Sequence, residues 1–137
     1  MEQPPPITPE AATVRQLLER WAEATQTNRL DDVLQGHDPK ALIYDVLPPM
    51  KHEGTEAYRR SWGEWQPETT GGERFGWEDL AVVAEGELAF AHGFIRCGGV
   101  LPNGKAFEDL VRATFCLRCV SGAWQVVHQH ISKPLPA

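Results

Sequence analysis

The side chains best suited to chemistry gather on the last segment of this 137-residue chain, Trp124 to Ser132. Strand alternation there predicts Trp124, Val126, His128, His130 and Ser132 on one face, with Gln125, Val127, Gln129 and Ile131 on the other. Two imidazoles on one face are poor packing material, because each carries a hydrogen-bond donor and an acceptor that must be satisfied. Upstream, His92 alternates with Phe90 and Phe94, and Arg112 with Thr114 and Cys116. If neighbouring strands align these faces, His92, Arg112, His128 and His130 form a polar cluster on an apolar sheet. Such a cluster is either the floor of a small-molecule pocket or a hydrogen-bonded network across a dimer interface. A third reading is a metal site, since His-x-His on a strand places two ligands together and His92 could add a third. No carboxylate or cysteine completes that set by spacing, so no metal is expected.

Asp45 is the candidate base. It ends a β-rich run, Ala41 to Leu47, beside Tyr44 and before Pro48-Pro49. Apolar surroundings would raise its proton affinity into the range useful for general-base catalysis, whereas a strand-end acid that merely accepts backbone hydrogen bonds would stay acidic. Tyr58, Trp62 and Trp65 recur at i, i+4 and i+7 on one helical face. The polar tips of Tyr58 and Trp62 suit a wet cavity wall, although all three rings could equally fill a core. No nucleophile elbow, phosphate-binding loop or dinucleotide fingerprint is present, and no Ser-His-Asp set is legible around Ser61 or Ser132.

The elements that must position these residues follow from capping and periodicity. Thr8-Pro9-Glu10 opens a helix with Val14, Leu17, Leu18, Trp21 and Ala22 on one stripe. Asn28 is placed to cap a short second helix carrying Leu30, Val33 and Leu34, and Gly54-Thr55 opens a third. Gln66 to Arg74 reads as a loop and mobile rim. Four strands follow, Phe75 to Ala84, Leu88 to Cys97, Phe107 to Cys119 and Trp124 to Ser132, joined by Gly-bearing links that specify antiparallel hairpins. The expectation is an α+β fold with a curved, mostly antiparallel sheet around the N-terminal helices. Residues 1–8 are expected to be a disordered Pro-rich tail and 9–134 one domain.

Composition bounds the function. Nineteen acidic against thirteen basic residues give a net charge of −6, with no Lys/Arg run to neutralise phosphates, so nucleic-acid binding is not expected. No apolar stretch approaches the ~20 residues of a membrane span. The Pro-rich N-terminus lacks the charge and apolar core of a signal peptide, which suggests a cytoplasmic protein. Cys116 and Cys119 spell Cys-x-x-Cys, but residues three apart on a strand point to opposite faces and cannot share a zinc ion or a redox disulfide.

The order of elements, together with Gly54 to Trp62, Ala89-Phe90-Ala91-His92, Val111-Arg112-Ala113-Thr114 and Trp124 to Pro134, resembles the SnoaL-like proteins of the nuclear transport factor 2-like superfamily. The final motif is similar to the subgroup that includes the calmodulin-dependent kinase association domain. The resemblance covers nearly the whole chain after Pro9. It implies a cone in which helices close over a curved sheet around a pocket, usually as a homodimer packed through the sheet. Isomerases of this superfamily use an acid near the first strand, matched roughly by Asp45, with a tyrosine on the first helix, where Trp21 stands here. Its dehydratases pair an acid with a meander histidine, for which His92 or His130 with Asp45 would serve. Tyr44, Tyr58, Trp62, Arg112, His128 and Ser132, with Trp21, would then contact the ligand. Two classes remain open: proton transfer on a small, partly apolar substrate without a cofactor, and a non-catalytic binding or assembly module.

Overall fold

The computed structural model describes residues 7–65 and 68–137, with the side chains of 63–65 left out. Helix α1 (Pro9–Gln26) starts where Thr8 accepts the Ala11 amide at 3.1 Å, and Pro9 occupies the first turn. Its stripe buries Val14, Leu18, Trp21 and Ala22. Helix α2 (Leu30–Leu34) lacks the expected cap. The Asn28 carboxamide oxygen instead accepts the Trp62 indole N–H at 2.9 Å, from a residue at φ 56°. Asparagine tolerates that left-handed conformation, so a tertiary bond rather than a helix end claims the side chain.

Strands β1 (His37–Tyr44) and β2 (His52–Glu53), helix α3 (Thr55–Trp65), and strands β3 (Gly71–Glu85), β4 (Leu88–Val100), β5 (Ala106–Val120) and β6 (Ala123–Ser132) complete the chain. One curved, open sheet runs β2-β1-β6-β5-β4-β3, antiparallel throughout except for the parallel β1–β6 pair. The α+β expectation therefore holds, and three boundaries move. Strand β1 begins four residues before Ala41 and ends three before Leu47. It runs through Pro39 because β2 pairs only with Leu42 and Ile43, leaving the proline beside an unpaired edge. Strand β4 passes through Gly98-Gly99, expected as a link. A Cβ at Gly98 would lie 2.4 Å from the Phe107 carbonyl oxygen, so the strands approach this closely only over a glycine. The longer β4 then pairs with Gly71, inside the expected loop, of which Gln66 and Pro67 lie outside the described residues.

The helices cover one face of the sheet. Trp21 meets Phe115 edge-on at 4.8 Å, with Phe75 at 5.3 Å and Trp77 at 5.9 Å. These rings fill the space between α1 and strands β3 to β5 and carry much of the burial energy. A helix-facing row crosses the sheet in register: His52, Ile43, Gln129, Phe115, Ala91, Val82. Among the described residues no helix lies on the opposite, outer face, which leaves Val83, Leu88, Phe90 and Phe94 exposed.

Candidate functional site

A one-residue irregularity in β6 decides which side chains meet. Leu117 pairs with Val126 but Cys116 with His128, so Val127 is bulged out and the alternation reverses beyond it. Trp124 and Val126 lie in the helix-facing core, and so do Gln129 and Ile131, which simple alternation had placed on the other side. His128, His130 and Ser132 face outward.

On that outer face the register does bring the expected polar residues together. His92, Thr114 and His130 form one row with Tyr44, while Phe94, Arg112 and Ser132 form the next. Tyr44 meets the rings of His128 and His130 edge-on at 4.8 and 5.2 Å, and His128 Nδ1 lies 2.7 Å from the Leu42 carbonyl oxygen. A groove of about 570 Å³ opens among His92, Phe94, Arg112, Thr114, His130 and Ser132. Among the described residues, no three His, Cys, Asp or Glu side chains converge as metal ligands do.

Asp45 and Tyr58 belong to the other side. Tyr44 pairs with His130, so the next residue, Asp45, turns toward the helices and away from every meander histidine. One cavity shared by Tyr58, Trp62, His92, Arg112 and His130 is therefore excluded by the sheet itself. Among the described residues, the contacts of Asp45 run to Val46, Tyr58 and His52 and not to His130 or His92. Trp21 sits in the ring cluster with Phe75, Trp77 and Phe115, and the Trp65 side chain lies outside the described residues.

What Asp45 does meet is a compact polar group where β1, β2 and α3 come together. The Tyr58 hydroxyl donates to Asp45 Oδ2 at 3.3 Å, and the Val46 amide donates to Oδ1 at 2.7 Å. Burial raises the carboxyl's proton affinity, opposed by those two hydrogen bonds and by His52. Burial and the adjoining carboxylate hold the Tyr58 proton well above the usual phenol range, so Tyr58 is a neutral donor. The His52 ring stands edge-on to Tyr58 at 5.3 Å, with Ser61 Oγ 3.5 Å from its Nδ1. His52 is only 3% exposed, and its Nε2 has no partner among the described residues. Beside Asp45, the β1–β2 connection exposes Val46, Leu47 and Met50 as an apolar lip. Chemically this is a carboxyl whose proton affinity burial raises, a neutral phenol donor and an imidazole whose Nε2 has no partner among the described residues.

Sequence reasoning missed His52. Its strand is two residues long, too short for alternation to register, and its one signal was its place between Pro48-Pro49 and the Gly54-Thr55 helix start. Gly54, at φ 93°, makes that turn and gives its amide to the Ala41 carbonyl at 2.8 Å.

Comparison with known proteins agrees with this architecture. A nuclear transport factor 2-like protein of unknown function from Pseudomonas putida shares 30% identity over 93% of this chain and 88% of that one, with a TM-score of 0.83. A cystatin-like-fold protein of the same kind from Novosphingobium aromaticivorans shares 14% identity over 93% and 84%, at a TM-score of 0.75. The association domain of CaMKII from C. elegans shares 14% over 90% and 95%, at 0.73. No curated protein matches the chain. The SnoaL-like domain model matches residues 14–136, and the chain belongs to the SnoaL-like family.

Proposed function

We propose that this chain binds a small, partly apolar carbonyl compound on the helix-facing side and moves a proton on it, as an isomerase, cyclase or dehydratase does. The observation that carries this reading is the partly buried Asp45 carboxyl, with raised proton affinity, held against the neutral hydroxyl of Tyr58. Asp45 removes a proton from the carbon beside the carbonyl, the electron pair moves to oxygen, and Tyr58 or His52 donates a hydrogen bond to the charge that develops. The Tyr58–Asp45 bond is long for an O–H···O contact, so a substrate oxygen can replace Asp45 as the acceptor. Val46, Leu47 and Met50 supply an apolar cover. The test is a thermal-shift screen of cyclic ketones and enones, followed by a co-crystal with the best hit. A carbonyl beside Asp45 and Tyr58 supports the reading, and a ligand confined to the outer face overturns it.

A second reading, self-association, rests on the outer face. Val83, Leu88, Phe90 and Phe94 are 47%, 59%, 47% and 44% exposed on a face that no helix of the described residues covers, which is costly in water. The structural likeness to the CaMKII association domain is in keeping with pairing of two copies through this face as a homodimer. Sedimentation velocity should show a dimer at micromolar concentration and a monomer for Phe90→Lys. A wild-type monomer would remove this reading and leave the helix-facing site untouched.

A further inference from the structure

The helix-facing side holds more polar material than the Asp45 group alone. Gln129 Nε2 and His37 Nδ1, like His52 Nε2, have no hydrogen-bond partner among the described residues. Gln129 is 1% and His37 7% exposed, so bulk water does not serve them. Their bond to each other fixes which way the carboxamide faces. His37 Nε2 and Gln129 Oε1 lie 2.7 Å apart, and since a carbonyl oxygen only accepts, the ring nitrogen is the donor. Both N–H groups of Gln129 are left over, between the fully buried Ile43 and Phe115 that flank it in register. A carboxamide left unmet in such a place opposes folding unless something else accepts from it.

The register places Gln129 within reach of the Asp45 group. Ile43 pairs with His52 on one side and Gln129 on the other, so the three form one helix-facing row. Asp45 stands two residues beyond Ile43, beside the exposed Val46, Leu47 and Met50, which makes its end the mouth and Gln129 the deeper end. His37 pairs with Val126, on the side of Gln129 away from Asp45. The carboxamide therefore gives its oxygen to the far side and turns its nitrogen toward the Asp45 end. Two residues along and one strand across is about 8 Å at the backbone, a span that suits a six-membered ring with an oxygen at each end. Ile43 and Ile131, both in the helix-facing core, make the floor apolar. An apolar floor with a few polar groups at its corners is the usual form of a small-molecule site.

We infer that Gln129 determines the specificity of the helix-facing site, and that its guest is a cyclic ketone with a second oxygen across the ring, which accepts from Gln129 Nε2 while the first accepts from Tyr58. This names the substrate class of the proton-transfer reading proposed above and rests on that reading. A guest with a methyl group in place of the second oxygen would leave the Gln129 N–H groups unmet, and a site built around a buried hydrogen bond discriminates strongly against the analogue that lacks it.

The experiment is titration of the full chain with cyclohexane-1,4-dione and with 4-methylcyclohexanone, followed by NMR of the Asp45 carboxyl, the Tyr58 ring and the Gln129 side-chain amide. Both ketones should shift Asp45 and Tyr58, and only the dione should shift the Gln129 amide. The dione should bind at least tenfold more tightly, and Gln129→Leu should bring the two affinities within threefold of each other. The double variant His37→Leu with Gln129→Leu, which removes both buried partners together and so guards against a folding defect, should show the same levelling. Equal affinities in wild type, a dione preference that survives both variants, or a Gln129 amide that stays put while the dione binds beside Asp45 would overturn the inference. Gln129 Nε2 would then serve internal water only, and the proton-transfer reading would stand. Shifts at neither Asp45 nor Tyr58 with either ketone would overturn both.

Discussion

Replacing Tyr58 with Phe isolates one hydrogen bond in the proposed site. The ring stays and only the donor to Asp45 Oδ2 is lost. Hydrogen bonds to charged groups contribute about 1.5–3 kcal/mol. A donor 3.3 Å away belongs at the lower end, about 1.5 kcal/mol, which corresponds to roughly one pH unit in a titration midpoint. The direction follows from the charge: the bond favours the ionised carboxylate, so its loss raises the Asp45 midpoint further. Since burial already holds the folded value above the ordinary 3.8, Asp45's contribution to folding is present below 3.8 and lost as pH rises through the folded value. Tyr58→Phe enlarges that loss, so the variant should be more destabilised at pH 7 than at pH 3. The assay is carbonyl-carbon NMR titration of Asp45 in both proteins, with urea unfolding at the two pH values. A midpoint that stays put or falls would refute the claim that Tyr58 donates to Asp45.

His37 provides an opposite pH dependence. Its pKa is lowered from 6.5, first by burial and against the pull of its 2.7 Å hydrogen bond with Gln129. Its stabilising share is therefore full above 6.5 and lost as pH falls through the folded value, and His37→Gln should flatten that acid-side decline in urea unfolding. Phe115→Ala should cost about 3–5 kcal/mol by the same method, because the ring is fully buried between Trp21 and Trp77. Gly54→Ala should lower the melting temperature and weaken any ligand of the Asp45 site, since the turn needs φ 93° and a Cβ would meet the Pro39 carbonyl oxygen at 2.8 Å.

The sequence carried the fold well because its signals were local. Thr8-Pro9-Glu10 started a helix, Glu85-Gly86-Glu87 and Ser121-Gly122 closed hairpins, and the stripe through Trp21 named the core. The site was harder to read. Alternation assumes an unbroken strand, and the displaced Val127 reversed every assignment after it. His130 was expected beside Asp45, and pairing of Tyr44 with His130 instead put the sheet between them. Asn28 looked like a cap because its competing partner, the Trp62 indole, is distant in sequence. His52 entered the site through contacts with Tyr58 and Ser61 that no spacing rule encodes.

On the proposed function, proton chemistry belongs to the helix-facing side, at Asp45, and not to the histidines of the outer face. Exchange of the carbon-bound protons of a small cyclic enone into deuterated water, followed by NMR with wild type, Asp45→Asn and His130→Asn, tests it most directly. Wild type should accelerate exchange, Asp45→Asn should lose about 10²–10⁴-fold of that acceleration, and His130→Asn should stay within a few-fold of wild type. Full activity in Asp45→Asn, or a loss of that size in His130→Asn, would contradict it.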